Sequence, residues 1–251
     1  MSIAKQVVIV MMTLSMFGWS GQVYAGRLER LAANYHMQKP DGDGPFPAVI
    51  MVAGCRGFNS PRLQPVYDRV QGRLRDMGFV VIRADYLAAR NQDSCQHVSK
   101  KAAAADLGVA VSYLRSQPFV KQGAINVMGW SFGGGTAFVA LSKGKSGTPI
   151  DVDAVVAYYP GCRSVRPWKR SPPILVLIGA ADENVSLKQC KKIFAKLPNP
   201  GSVELHVYPN AYHVFDAFNL PKEIAFGSRT IGYNAEAAKA AWTEVERFLR
   251  R

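Results

Sequence analysis

Five short stretches of the chain are almost continuously apolar and rich in β-branched residues. They are Ala48–Ala53 (AVIMVA), Val80–Ala84, Ala124–Gly129 (AINVMG), Ala154–Tyr159 and Ile174–Gly179 (ILVLIG). A sixth, Val203–Tyr208, alternates more. Unbroken apolar runs of this length fit strands buried on both faces of a parallel sheet. Between them lie segments of helical length and spacing. Leu63–Met77 stops at Gly78, Lys101–Arg115 is Ala-rich with Leu107, Val111 and Leu114 in register, Leu187–Leu197 stops before Pro198, and Ala235–Leu249 is amphipathic. Strands that alternate with helices predict an α/β fold with a largely parallel sheet and helices on both faces. Right-handed crossovers then bring every parallel strand to one sheet edge by its C-terminal end, where ligand sites gather. No internal repeat and no Pro/Gly/Ser-rich linker interrupts the pattern, so residues 26–251 are expected to form a single domain.

Composition narrows the picture. The chain has 251 residues, 48% hydrophobic and 20% charged, with 22 Gly and 15 Pro. Disordered, collagenous and coiled-coil classes are excluded on those values. The amino terminus sets the compartment. Lys5 is the only charge before Arg27, Val7–Trp19 is mostly apolar, and Val23-Tyr24-Ala25 offers small residues where a signal peptidase reads. The run is too short to span a bilayer, which needs about 20 apolar residues. Residues 1–25 therefore read as a secretory signal with cleavage after Ala25, leaving an exported protein with no stable membrane insertion, either periplasmic or secreted. An uncleaved anchor is the competing reading.

The stretch richest in chemical information is Gly129-Trp130-Ser131-Phe132-Gly133-Gly134-Gly135, between the strand AINVMG and the helical segment Thr136–Ser142. A G-x-S-x-G between strand and helix is the pattern of a nucleophile elbow. The serine must occupy a tight turn for its hydroxyl to project above the sheet. The flanking glycines are small because neighbouring backbone passes close, and the following helix aims its N-terminal amides at the site. Such an elbow needs a histidine base and an acid that orients it, in the order Ser, acid, His. The strand ILVLIG runs into Gly179-Ala180-Ala181-Asp182-Glu183, which makes Asp182 the expected acid and Glu183 the reserve. A helix cap for the segment near Ser186 is the plainer role for Asp182. Of the four histidines, His36 and His97 precede the serine and His206 lies inside the strand VELHVY. His213 follows that strand in a loop and is the expected base. The oxyanion hole is expected from the amides of Phe132, after the serine, and Cys55, in the Ala53-Gly54-Cys55-Arg56-Gly57 loop.

With these residues in place, the chain resembles the dienelactone hydrolase family of α/β-hydrolases. The likeness runs from about Pro47 to the last helix. It rests on the GCRG loop, the GWSFGG elbow, the GAADENV segment and YPNAYHVF. It implies an α/β-hydrolase fold, a Ser131–His213–Asp182 triad, a small-molecule ester or lactone substrate and no cofactor. Two departures stand out. The family's namesake enzymes use cysteine as nucleophile, and position 131 is serine, which favours general ester hydrolysis over dienelactone. Secreted relatives often carry His-Gly before the loop, and Ala53 stands where that histidine would be.

Four cysteines suit one or two bridges in an oxidising compartment. Strand adjacency would pair Cys55 with Cys95 and Cys162 with Cys190, although four cysteines allow three pairings. No CxxC or closely spaced His/Cys set argues for metal. Lys+Arg total 31 against 18 Asp+Glu, a formal net charge of +13. The excess is scattered and comes with no nucleic-acid-binding motif. One cluster, Arg163, Arg166, Trp168, Lys169 and Arg170, is either a solvated loop or a rim that attracts an anionic substrate. The expectation is thus an exported serine carboxylic-ester hydrolase. A non-catalytic binding protein on the same fold is the alternative, since folds outlast their chemistry.

Overall fold

The computed structural model describes residues 26–142, 149–163, 165–168 and 172–251. Residues 1–25, expected from the sequence to be a secretory signal, and Lys169 and Arg170 of the basic cluster lie outside the described residues.

The apolar runs form a sheet. Its strands are β1 (Tyr35–Gln38), β2 (Phe46–Val52), β3 (Val80–Ala84), β4 (Val120–Trp130), β5 (Ala154–Tyr158), β6 (Ile174–Gly179) and β7 (Val203–Tyr208). The spatial order is β1-β3-β2-β4-β5-β6-β7. Every pairing is parallel except β1 with β3. Strands β3, β5 and β6 are buried along their whole length. That burial explains why their sequences carry no alternation. The α/β class expected from the sequence is the one observed.

The helices against the sheet include α1 (Gln64–Asp76), α2 (Lys100–Arg115), α3 (Phe132–Leu141), α4 (Leu187–Phe194) and α5 (Ala235–Leu249). Two apolar layers result. Val66, Val70 and Leu74 of α1 and Trp242, Val245 and Phe248 of α5 fill one face of the sheet. Leu107, Val111 and Leu114 of α2, Phe138 of α3 and Phe194 of α4 fill the other. Local chemistry sets the helix ends. Ser99, Ser186 and Asn234 accept the amides of Ala102, Gln189 and Ala237 at the starts of α2, α4 and α5. Gly78, with φ +94°, ends the turn after α1.

Three elements were not legible in the pattern. β1 lies in what read as a lead-in, and it is only half-buried at the sheet edge. A two-stranded hairpin, β8 (Ile224–Phe226) and β9 (Arg229–Ile231), lies in the loop after His213. Each of its strands has only three residues, too few for a periodicity to register. α3 starts directly after Ser131 rather than at Thr136, because Phe132 and the three glycines already make its first turn.

The β2–α1 and β4–α3 connections leave neighbouring strands for opposite faces of the sheet. That divergence opens a crevice at their C-terminal ends, the position where α/β sheets bind ligands. Val52 and Gly129 are paired across it. Here the backbones meet so closely that side chains are excluded. A Cβ on Gly133 would lie 2.1 Å from the Val52 carbonyl oxygen, and one on Gly129 would lie 2.6 Å from the Gly133 carbonyl carbon.

Two disulfides, Cys55–Cys95 and Cys162–Cys190, have the expected pairing and span 40 and 28 residues. Loops of that size give each bridge roughly 3–4 kcal/mol through loss of unfolded-state entropy. Alkylation of the folded protein without reductant should leave the intact mass unchanged, whereas four modified thiols would contradict the pairing. Removing either bridge by paired Cys→Ser substitution should cut the unfolding free energy by about that amount in urea. Gly133→Ala should cost about 3 kcal/mol in the same assay, since the carbonyl it meets is backbone and cannot rotate away.

Candidate active site

The site is assembled from four loops at the C-terminal edge of the sheet. Ser131 stands between β4 and α3 with φ 49° and ψ −108°. For a residue with a Cβ this is strained backbone, of a kind that costs about 1–3 kcal/mol and persists only where the surroundings enforce it. The enforcement is visible. The Ser131 amide donates to the Tyr158 carbonyl at 2.9 Å, and the Ser131 carbonyl accepts from Gly135 at 3.0 Å and Gly161 at 2.8 Å.

His213 comes to Ser131 from the loop after β7. Its Nε2 lies 3.0 Å from Ser131 Oγ, and its Nδ1 lies 2.7 Å from Asp182 Oδ2. The imidazole is nearly buried, with 10% of its side chain exposed, and the Asp182 side chain is 1% exposed. The Asp182 carboxylate divides its work. Oδ1 accepts the amides of Asn184 at 2.8 Å and Val185 at 3.0 Å, closing the turn after β6. Oδ2 is left to the imidazole. Ser186, not Asp182, caps α4, so the plainer role considered for Asp182 does not apply.

Glu183 points elsewhere. Its Oε2 accepts the Thr230 amide of β9 at 2.8 Å, and the neighbouring Asn184 accepts from Arg229 at 3.2 Å. The hairpin is also tied to the histidine loop, by the Gly232 amide donating to the His213 carbonyl at 3.1 Å. His36 sits in β1 beside Gln71 and His206 in β7 beside Glu244, both away from Ser131. Trp168 is not part of a rim: it is 1% exposed and stacks on Phe138 in the core.

The Gly54 loop faces Ser131 from the other side. A Cβ on Gly54 would lie 3.7 Å from Ser131 Cβ. The loop is pinned by two tyrosines: Tyr67 OH accepts the Gly54 amide at 3.1 Å, and Tyr86 OH donates to the Gly54 carbonyl at 2.9 Å. Burial pushes both phenols far above the ordinary tyrosine value, so they stay protonated and able to donate. The Phe132 amide is the first of α3 and has no partner within the helix. Cys55, Ser131 and His213 line one cavity of about 750 Å³, together with Phe58, Leu63 and Phe226. Among the described residues no cluster of His, Cys, Asp or Glu could hold a metal ion.

Sequence reasoning missed a second acid. Asp216, three residues past His213, accepts from Trp130 Nε1 at 2.9 Å and from the Tyr159 hydroxyl at 2.6 Å. The Tyr159 ring lies 4.5 Å from the His213 ring. Desolvation pushes the Asp216 carboxyl up from its ordinary value, against the pull of its two donors. No motif announces these contacts, which join residues 57 and 86 positions apart.

The Ser131–His213–Asp182 chain can carry a proton from hydroxyl to imidazole while the carboxylate holds the ring. Known proteins share this scaffold. A protein of Klebsiella pneumoniae, provisionally described as a dienelactone hydrolase, superposes with TM-score 0.66 at 20% identity, covering 86% of this chain and 92% of its own. Esterase 2 of Thermogutta terrifontis, solved phosphorylated by paraoxon, superposes with TM-score 0.60 at 18% identity, covering 86% and 87%. A curated protein of Saccharolobus solfataricus, provisionally named a carboxymethylenebutenolidase, is 30% identical over 189 residues. That match covers 74% of this chain and 63% of the relative's length. The model of the dienelactone hydrolase family matches residues 33–251, and the chain belongs to that family.

Proposed function

We propose that the protein is an exported serine hydrolase that cleaves carboxylic esters or lactones through an acyl-enzyme. The observation that carries this reading is the continuous hydrogen-bonded chain from Ser131 through His213 to Asp182 at the wall of a large cavity. In the resting state the Ser131 hydroxyl donates to His213 Nε2, and His213 Nδ1–H donates to Asp182. Ser131 Oγ attacks the substrate carbonyl carbon as its proton passes to His213. The amides of Phe132 and Cys55 stabilise the oxyanion. His213 then returns the proton to the leaving alkoxide, and the C–O bond breaks. A water activated by His213 attacks the acyl-enzyme and restores the serine. Each step is balanced by side chains of this chain, without a cofactor.

The Cys55–Cys95 bridge belongs to the same reading. It anchors the loop that supplies one oxyanion donor, and the Cys95 amide also donates to the Cys55 carbonyl at 2.8 Å. Two disulfides fit an oxidising compartment and so support export. Three arginines, Arg56, Arg62 and Arg229, line the cavity against two acids, Asp85 and Asp93, and Asp85 spends a carboxylate oxygen on the amides of Leu87 and Ala88. That balance favours an anionic ester or lactone.

A fluorophosphonate should form a stable adduct on Ser131, mapped by mass spectrometry and absent in Ser131→Ala. No adduct on folded protein would instead favour a binding protein on a hydrolase fold. His213→Ala and Asp182→Asn should each lower kcat by roughly 10⁴-fold. Raising salt should lower kcat/KM for an acidic ester and leave that for a neutral ester unchanged, because only the first is steered by cavity arginines. Equal salt responses would remove the anionic preference.

A further inference from the structure

Asp216 is an ionisable group that the proposed chemistry leaves unused, and both of its oxygens are committed to residues that touch the reacting groups. Trp130, which donates to Oδ2, is the residue before Ser131. Tyr159, which donates to Oδ1, lies with its ring against His213. The same three segments hold three non-glycine residues in the left-handed region: Ser131 at φ 49°, Tyr159 at φ 34° and Val214 at φ 60°. For β-branched Val214 this is a true outlier. Strain of this kind needs something outside each turn to hold it. Asp216 links all three segments, standing two residues after Val214 and bonding Tyr159 itself and the residue before Ser131.

An uncharged group could serve as a clamp at less cost. Desolvation works against the ionised Asp216 carboxyl, and the charge of His213 is among the things that favour it. This attraction acts only when the His213 ring carries the proton taken from Ser131.

We propose that Asp216 is a second positioning carboxylate for His213. It holds the Tyr159 ring against the imidazole and Trp130 beneath the elbow, and its charge favours the imidazolium formed when Ser131 gives up its proton. The inference rests on the Ser131–His213–Asp182 reading and deepens it.

Two substitutions separate charge from clamp. In Asp216→Asn the amide oxygen must face Trp130, because an indole N–H can only donate. The NH₂ group then faces the Tyr159 hydroxyl, which turns to accept. Shape and both hydrogen bonds survive while the charge is lost. Tyr159→Phe keeps the charge and removes one bond. Wild type and Ser131→Ala are assayed beside them on a neutral p-nitrophenyl ester. In each variant kcat should fall about tenfold or more, as outer partners of reacting groups commonly show, with KM changed by less than about twofold. The double variant should be no slower than the slower single, because both act along one path.

Stability gives an independent readout. A carboxyl whose folded value is raised makes the native state bind its proton more readily than the unfolded chain does. Wild-type stability from this group therefore falls as pH rises through the unfolded and then the folded value. The amide removes that loss, so at neutral pH Asp216→Asn should not lower Tm. Unchanged kcat in both variants would overturn the proposal. So would a kcat loss in Asp216→Asn accompanied by a fall in Tm while Tyr159→Phe keeps full activity. Absence of Ser131-dependent turnover in wild type would instead defeat the triad reading, and this inference with it.

Discussion

Between Gly133 and the Val52 carbonyl there is no room for one additional carbon. That contact locks the first turn of α3 against the end of β2, and the rest of the site follows from it. With α3 held there, the chain leaving β4 has one residue in which to turn, and Ser131 takes a conformation that side chains normally avoid. The same closeness brings the Gly54 loop to within van der Waals reach of the serine. Under the proposed mechanism the Phe132 and Cys55 amides are donors fixed in place before charge develops, which is where such sites gain most of their rate.

The second constraint is the division of Asp182 between two tasks. One oxygen builds the turn after β6 and the other orients the imidazole. The carboxylate that meets the His213 ring is therefore fixed by the backbone it folds. Glu183, one position on, cannot exchange roles with it, because its side chain reaches the opposite way to the hairpin β8–β9. Acid, base and hairpin form one connected body through Glu183, Asn184 and Gly232. The hairpin in turn carries Phe226 and Arg229 into the cavity wall.

Much of this was legible before any coordinates. Strands β3, β6 and β7 fall on the expected boundaries, because complete burial or clear alternation leaves a direct trace in residue type. Ser131, Asp182 and His213 were found from their order and their place after strands, and the structure brings all three together. Both disulfide pairings followed from strand adjacency. What escaped has a common physical character. β1 and the strands of the β8–β9 hairpin have only four and three residues, so no periodicity marks them. Tyr67 and Tyr86 act through one long-range hydrogen bond each and Asp216 through two, and isolated bonds of this kind leave no pattern in a chain. The basic residues around Trp168 suggest a solvated loop or a charged rim, yet its apolar area is better satisfied against Phe138.

The disulfides bear on the same region rather than on the fold at large. One fixes the loop of Gly54 and Cys55, on one side of Ser131. The other fixes the segment after Gly161, whose amide donates to the Ser131 carbonyl from the other side. The segments they tie also enter the core: Cys162, Val165 and Trp168 belong to one apolar layer, and Ala53 and Phe58 to the other. Cross-links placed on the two walls of the elbow therefore act where the backbone is strained and where a small relaxation would matter most. A loop displaced by 1 Å there would leave the sheet intact and still misalign donor and nucleophile. Covalent ties on both sides of the strained turn hold the Ser131 hydroxyl in place against the His213 imidazole.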